Sequence, residues 1–313
     1  MTTTEFREIR MSDVGAGLEH AFGEHRRELH LHCYHLVGNV PDADDLVQET
    51  FLRAWRARDR FEGRASVRTW LYRIATNAFL DIRKAAANRA VPSGDLLEWS
   101  TEIGPYPDVL LSDDDPQTSA PGRETVELAL IAALMYLPGR QRAAFVLRDV
   151  HGWTPPEVAA ALGVPVTAVN SLLQRARHTL RLHAPADPRD WRRPRLTRQD
   201  EEILRRYAAV TDPGELRCML ADDVRITMPP EPPVVGVDAV VEFLTRPLDW
   251  RFLPSSANGR PALVCYLREP GSPRYTGLVV DVLRIEHGRI VESNAFVGAR
   301  HVAAFGMAAT LEP

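Results

Sequence analysis

TPPEVAAALGVPVTAVNSLLQRARHTLR, residues 154–181, carries the signals of two helices joined by a tight turn. Thr154 precedes an apolar run and is followed three residues later by Glu157, the pattern of a capping box. Pro155 falls at the first helical position, where its missing N–H costs nothing. Val158, Ala159 and Leu162 form one apolar stripe, and Gly163 suits the left-handed position after a helix end. Beyond a three-residue turn, Val166, Val169, Leu173 and Ala176 form a second stripe. The opposite face offers Thr167, Asn170, Ser171, Gln174, Arg175 and Arg177. Short polar groups followed by arginines suit a recognition helix, with base edges read first and phosphates neutralised later. The spacing predicts a DNA-reading helix-turn-helix. The plainer alternative is an αα-hairpin with a solvated polar face.

Working outward, the charge is unevenly placed. The 313 residues carry a formal net charge of −4, which by itself argues against a nucleic-acid partner. Yet residues 125–195 hold 10 basic against 5 acidic side chains, and residues 20–91 hold 12 against 9. Residues 92–124 hold 1 against 8, and residues 196–313 hold 13 against 16. Blocks of one sign speak to partners rather than to fold. The acidic block also contains Pro92, Gly94, Gly104, Pro105, Pro107, Pro116, Pro121 and Gly122. It is expected to be a linker that buries too little apolar surface to offset chain entropy.

Residues 20–91 are expected to be helical. Leu29, Leu36, Leu46, Val47, Phe51, Trp55, Leu71, Ile74, Ala75 and Phe79 recur at three- and four-residue spacing. The break at 39–42 makes Asp42 a candidate N-cap. After residue 195 the pattern becomes α+β. A helix over 198–210 precedes strand-like runs at 224–228, 262–268, 277–286 and 289–297, the last two separated by a His287-Gly288 turn. No apolar run is long enough for a membrane span. Residues 1–12 lack the apolar core of a secretory signal, and Cys33, Cys218 and Cys265 form no disulfide framework. The expected setting is therefore cytoplasmic, without a membrane partner.

DADDLVQETFLRAW, residues 42–55, resembles region 2.2 of the extracytoplasmic-function (ECF) group of bacterial sigma-70-type factors. FEGRASVRTWLYRIATNAFLDIRKAAANR, residues 61–89, resembles regions 2.3 and 2.4. Leu137-Pro138 and QRAAFVLRDVHGW, residues 141–153, resemble region 4.1, and the helix-turn-helix resembles region 4.2. The matches cover about half the chain in the family's order. The implied fold is multidomain: all-α sigma region 2 over 15–91, an acidic linker over 92–124, and all-α sigma region 4 over 125–184. An α+β NTF2-like (SnoaL-like) cone over 196–313 completes it.

The resemblance implies an alternative sigma factor whose partners are core RNA polymerase, through its β′ and β subunits, and promoter DNA. Asp42, Asp44, Asp45, Gln48 and Glu49 would meet the β′ coiled coil, where an acidic face speeds docking on a basic helix. Phe61, Arg64, Ser66, Arg68, Trp70, Asn77, Arg83 and Lys84 would hold the −10 element, combining phosphate contacts with faces for unstacked bases. Core packing is the competing role for Trp70, as for Phe79. Thr167, Asn170, Ser171, Gln174, Arg175 and Arg177 would read the −35 element. Many family members carry Lys and Arg where this chain has Asn170 and Leu172. The linker segment WSTEIGPYPD, residues 99–108, resembles a subgroup connector that threads the polymerase, where acidic charge mimics RNA.

Residues 196–313 exceed what an ECF factor needs. MPPEPPVVG at 228–236, the helix-like 237–244 and the tail at 296–307 resemble the SnoaL-type extension of the SigG- and SigJ-like subgroups. Regulation in cis is the expected role, with an unknown small-molecule ligand as an open partner. Asp281 and Asn294 are candidate pocket groups, while Asp222, Asp223 and His287 are expected at a strand start and a turn. Two rival readings remain: a DNA-binding regulator with a ligand-sensing cone, and a cyclase- or isomerase-like enzyme fused to a DNA-binding module. The expectation is no catalytic residue in this chain, no cofactor and no metal. His30, His32, Cys33 and His35 resemble ligands, but Cys33 points away from the face that His32 and His35 share on a helix.

Overall fold

A computed structural model describes residues 11–61, 63, 65–89, 103–111, 128–183 and 196–313. The chain divides into two compact units. The first is helical and holds α1 (Met11–Val37), α2 (Val40–Ala57) and α3 (Val67–Arg89). It also holds α5 (Gly139–Phe145), a π-helical turn (Val146–Val150), α6 (Pro155–Leu162) and α7 (Val166–His183). Between α3 and α5, α4 spans Leu128–Met135. The apolar stripes largely meet as the spacing predicts: Leu29, Leu36, Leu46, Val47, Leu71, Ala75 and Phe79 are buried, as are Val158, Val169, Leu173 and Ala176. Phe51, Trp55 and Ile74 are half-buried, and Val166, at the start of α7, is exposed. Each buried leucine contributes roughly 2 kcal/mol of transfer free energy.

Asn39, not Asp42, caps α2: its side-chain oxygen accepts from the Asp42 N–H at 2.9 Å. Pro41 explains the shift, because a proline at the first turn pulls the helix start toward it. Around the helix-turn-helix the expected chemistry is present. The Thr154–Glu157 capping box is closed in both directions, and Gly163 is left-handed at φ 62.

The second unit is α+β. It comprises α8 (Arg198–Ala209), α9 (Pro213–Met219), β1 (Leu220–Met228), β2 (Glu231–Val235) and α10 (Val237–Leu244). These are followed by β3 (Asp249–Ala257), β4 (Arg260–Arg268), β5 (Tyr275–Glu286), β6 (Arg289–Val297), α11 (Ala299–Ala304) and β7 (Thr310–Leu311). The sheet runs β2-β1-β6-β5-β4-β3, with β7 against the start of β5. Among the described residues, only β1 and β6 pair in parallel. His287 and Gly288, both at positive φ, turn β5 into β6 as expected of a two-residue hairpin.

The sheet is covered on both faces. α8, α9 and α10 pack Ile203, Leu204, Tyr207, Leu216 and Val240 against Leu263, Cys265, Leu283 and Ala295. The other face buries Val264, Tyr266, Val280 and Val282 with Val302 and Phe305. A bulge between β4 and β5 brings Gly277 so close to α11 that a Cβ there would lie 2.8 Å from Val302 Cγ1.

One expectation about the linker changes. Residues 103–111 lie ordered on the sheet domain, with Tyr106 only 1% exposed. The few apolar residues in this acidic block, Ile103 and Tyr106 among them, are enough to anchor it. The remainder of residues 92–124 lies outside the described residues.

Candidate nucleic-acid interface

The helix α7 presents Thr167, Asn170, Ser171, Gln174, Arg175 and Arg177 on its exposed face. Val169, Leu173, Ala176 and Leu180 anchor the opposite face. Two of the six are engaged locally. Ser171 Oγ donates to the Thr167 carbonyl at 3.1 Å, and Arg177 binds Asp149 bidentately at 3.1 and 2.7 Å. That ion pair braces α7 against the π-helical turn and holds the Arg177 guanidinium above its ordinary range. Thr167, Asn170, Gln174 and Arg175 therefore form the more available edge.

On α2, Asp42, Asp44, Asp45 and Gln48 are exposed along one helix start. Asp42 accepts from Asn39 Nδ2 at 2.8 Å, and Asp44 lies 3.2 Å from His30 Nε2. Glu49 accepts from Arg53 Nε at 2.7 Å, and Arg53 reaches Asp81 on α3 at 2.6 Å. Glu49 thus holds the Arg53 that ties α2 to α3, and offers less to a partner than its neighbours.

The −10 candidates divide more sharply. Asn77 and Lys84 are exposed on α3, and Arg83 is half-buried. Ser66 caps α3, its Oγ accepting from the Thr69 N–H at 3.1 Å. Arg68 donates to Glu28 at 2.7 Å and to the Tyr72 hydroxyl at 3.3 Å, which commits its charge inside the unit. Trp70 is buried and tilted on half-buried Phe61, with ring centroids 4.8 Å apart, so its ring packs rather than presents a face. Arg64 lies outside the described residues. Charge counting could not separate these roles, because pairing across elements is invisible in a linear sequence.

In the sheet domain, the two pocket candidates are not brought together. Asp281 pairs with Ala295 across β5 and β6, while Asn294 pairs with Val282 one residue on, so their side chains take opposite faces. Asp281 is buried, accepts from Ser293 Oγ at 2.6 Å, and is pushed by burial up to about 6. Its surroundings are apolar, with Tyr207 and Cys265 near. Asp222 and Asp223 are exposed near the start of β1, and His287 sits in the turn as expected.

Three arrangements escaped sequence reading. Arg142, 1% exposed, donates to the carbonyls of Leu36 at 2.7 Å, Met135 at 2.9 Å and Leu137 at 3.3 Å. Burial and nearby Arg83 lower it to about 9. His32 joins His151 and Thr76 at 3.0 Å each. Asn258, held at φ 53, accepts from the Tyr106 N–H at 2.8 Å and donates its own N–H to the Tyr106 carbonyl at 3.0 Å. Only Asn258-Gly259, a turn dipeptide, carried a local signal.

Two helical groups carrying a helix-turn-helix, followed by a mixed-sheet domain, define a DNA-binding protein of the sigma class. Sigma-70 region 2 matches residues 21–89, and sigma-70 region 4 matches residues 127–180. The ECF RNA polymerase sigma factor SigG of Mycobacterium tuberculosis is 38% identical over 278 residues, covering 78% of this chain and 72% of that protein. SigW of Bacillus subtilis is 29% identical over 177 residues, covering 55% of this chain and 93% of its own. In structure, the ECF sigma factor SigJ of Mycobacterium tuberculosis matches 93% of this chain and all of that one, at a TM-score of 0.56 and 22% identity. The chain belongs to the ECF sigma factors. It is an alternative sigma factor that recognises promoters and starts transcription with core RNA polymerase.

Proposed function

We propose that this sigma factor docks on the β′ coiled coil and adjoining β surface of core polymerase through Asp42, Asp44, Asp45 and Gln48. In this reading Thr167, Asn170, Gln174 and Arg175 read the −35 element, while Phe61, Asn77, Arg83 and Lys84 contact the −10 strand. The C-terminal domain restrains this activity in cis and performs no catalysis itself. A small-molecule ligand of that domain would act by altering the restraint.

The observation carrying the regulatory reading is the seat of the connector. Tyr106 and Asn258 exchange two hydrogen bonds, Pro107 bridges Ala257, and Asp108 accepts from the Gly259 N–H at 3.0 and 3.2 Å. Burial raises the Asp108 carboxyl despite that hydrogen bond. A connector held this way is not available to thread a polymerase.

The test is promoter-dependent transcription with core polymerase, comparing the wild-type chain with a Tyr106→Ala/Asp108→Asn variant. Release should raise transcript yield several-fold at equal sigma concentration. Equal yields would remove the restraint. In a parallel binding assay, Asp45→Ala/Gln48→Ala should weaken core affinity about tenfold with the fold retained, and unchanged affinity would move the docking site off α2.

A further inference from the structure

Where α1 and α3 meet the helices around α6, the first unit buries an unusual polar cluster. His32 and His35 on α1 are fully buried. His32 Nδ1 meets His151 Nε2 at 3.0 Å, and the His35 ring lies 5.7 Å from the same His151. Tyr72 of α3 stacks on His32 at 4.6 Å and on Trp153 at 5.9 Å. Both ring nitrogens of His35 are buried without a hydrogen-bond partner. This polar seam joins the helices that bear the −10 candidates to those that bear the −35 reader.

The carboxylates around the cluster are engaged elsewhere and give a protonated imidazole no counter-charge. From α1, Glu28 is engaged by Arg68 and by the Tyr72 hydroxyl, and Cys33 is buried with its thiol raised. From α3, Arg68 opposes a positive His32. From α5 and the π-helical turn, Arg142 donates to carbonyls, Arg148 donates to the Trp153 carbonyl, and Asp149 is held by Arg177. From α6, Glu157 closes its own capping box. On α2, Asp44 faces His30 instead. Burial first, then His35 and Arg68, push His32 down to about 3, and burial alone does the same to His35.

Packing also limits reach. The −10 and −35 elements, named for their positions, lie about 25 base pairs apart, or about 85 Å at ~3.4 Å per base pair. Asn77 sits within a turn of Phe79, whose ring lies 3.7 Å from the Cβ position of Gly139 at the start of α5. α5 is about 10 Å long and packs on α7, about 27 Å long, so these steps laid end to end fall well short of that span. The packed unit can engage one element at a time.

We propose that the His32–His35–His151 cluster is a proton-operated latch: proton uptake parts the two helical groups and lets them span a promoter. The latch stands on the cluster's geometry; its consequence for promoters rests on the DNA surfaces proposed above. His32 and His35 are neutral in the packed state and ordinary imidazoles once exposed, so the packed state is favoured above about pH 6.5. Lowering the pH from 7.5 to 6.0 raises the open population about fourfold per exposed histidine, about 15-fold for two.

The experiment places a donor and acceptor at Glu24→Cys and Leu182→Cys in the full chain, with Cys218→Ser removing the exposed native thiol. Energy transfer should fall between pH 7.5 and 6.0 while circular dichroism is unchanged. His35→Leu, or His35→Gln should the first fail to fold, should cut the pH response of the opening constant about fourfold. Flat transfer, a fall accompanied by loss of helix signal, or an equal fall in the His35 variants would overturn the latch. Opening without tighter promoter binding by the holoenzyme would overturn the assigned DNA surfaces and leave the latch standing.

Discussion

Asp281 shows how one buried side chain makes a measurable signature. A carboxyl raised to about 6 holds its proton better folded than unfolded. Its contribution is fully present below about pH 4 and is lost as pH rises through about 6. Asp281→Asn should therefore leave stability unchanged at pH 4 and raise it at pH 8, by about 2–3 kcal/mol for a shift of roughly two units. Thermal melts at both pH values check the sign. Arg142 is the opposite case. Its guanidinium serves three carbonyls, including Leu36 near the C-terminus of α1. Arg142→Met strands those acceptors and should destabilise the helical unit by about 3 kcal/mol in urea titrations. Neither role was legible in sequence, where Asp281 read as a pocket candidate and Arg142 as one more basic residue.

Among elements, the helix-turn-helix was the most legible, above all its first helix, α6. Thr154, Pro155, Glu157 and Gly163 act within one turn of their own positions, so local chemistry settles them. Thr154→Ala should cost about 1 kcal/mol through the lost cap. Arg175→Ala should weaken −35 binding and lower the salt slope by about one phosphate's worth, as measured by duplex titration at several salt concentrations. β6 matched its expected span because alternation and a two-residue turn frame it. By contrast β3 alternates only over residues 249–252 before Leu253 and Pro254 break the pattern, and it is defined by its pairing with β4 along nine positions.

Across the whole molecule, two units with separate cores set the expectation for unfolding. Urea should melt the chain in two steps, with Arg142→Met moving one midpoint and Asp281→Asn at pH 8 moving the other. A single transition shifted by both substitutions would show that the units fold as one. The net charge of −4 is likewise a sum over blocks of opposite sign, with basic helical segments offset by an acidic connector and a slightly acidic C-terminal domain.

The sequence by itself determined the helix-turn-helix, the acidic start of α2, the hairpin at His287-Gly288 and membership of the sigma class. The first three rest on residues within a few positions of one another, where caps, stripes and turns operate, and the last on motif runs in a fixed order between residues 42 and 181. Only the tertiary structure decided which candidates remain exposed. It closed Arg68 on Glu28, buried Trp70 on Phe61, separated Asp281 from Asn294, seated Tyr106 on Asn258 and brought His32 to His151. Those partners lie 9 to 152 positions apart along the chain. Desolvation and pairing act through space, so the same residue types that suggest a binding surface in sequence become its braces once folded.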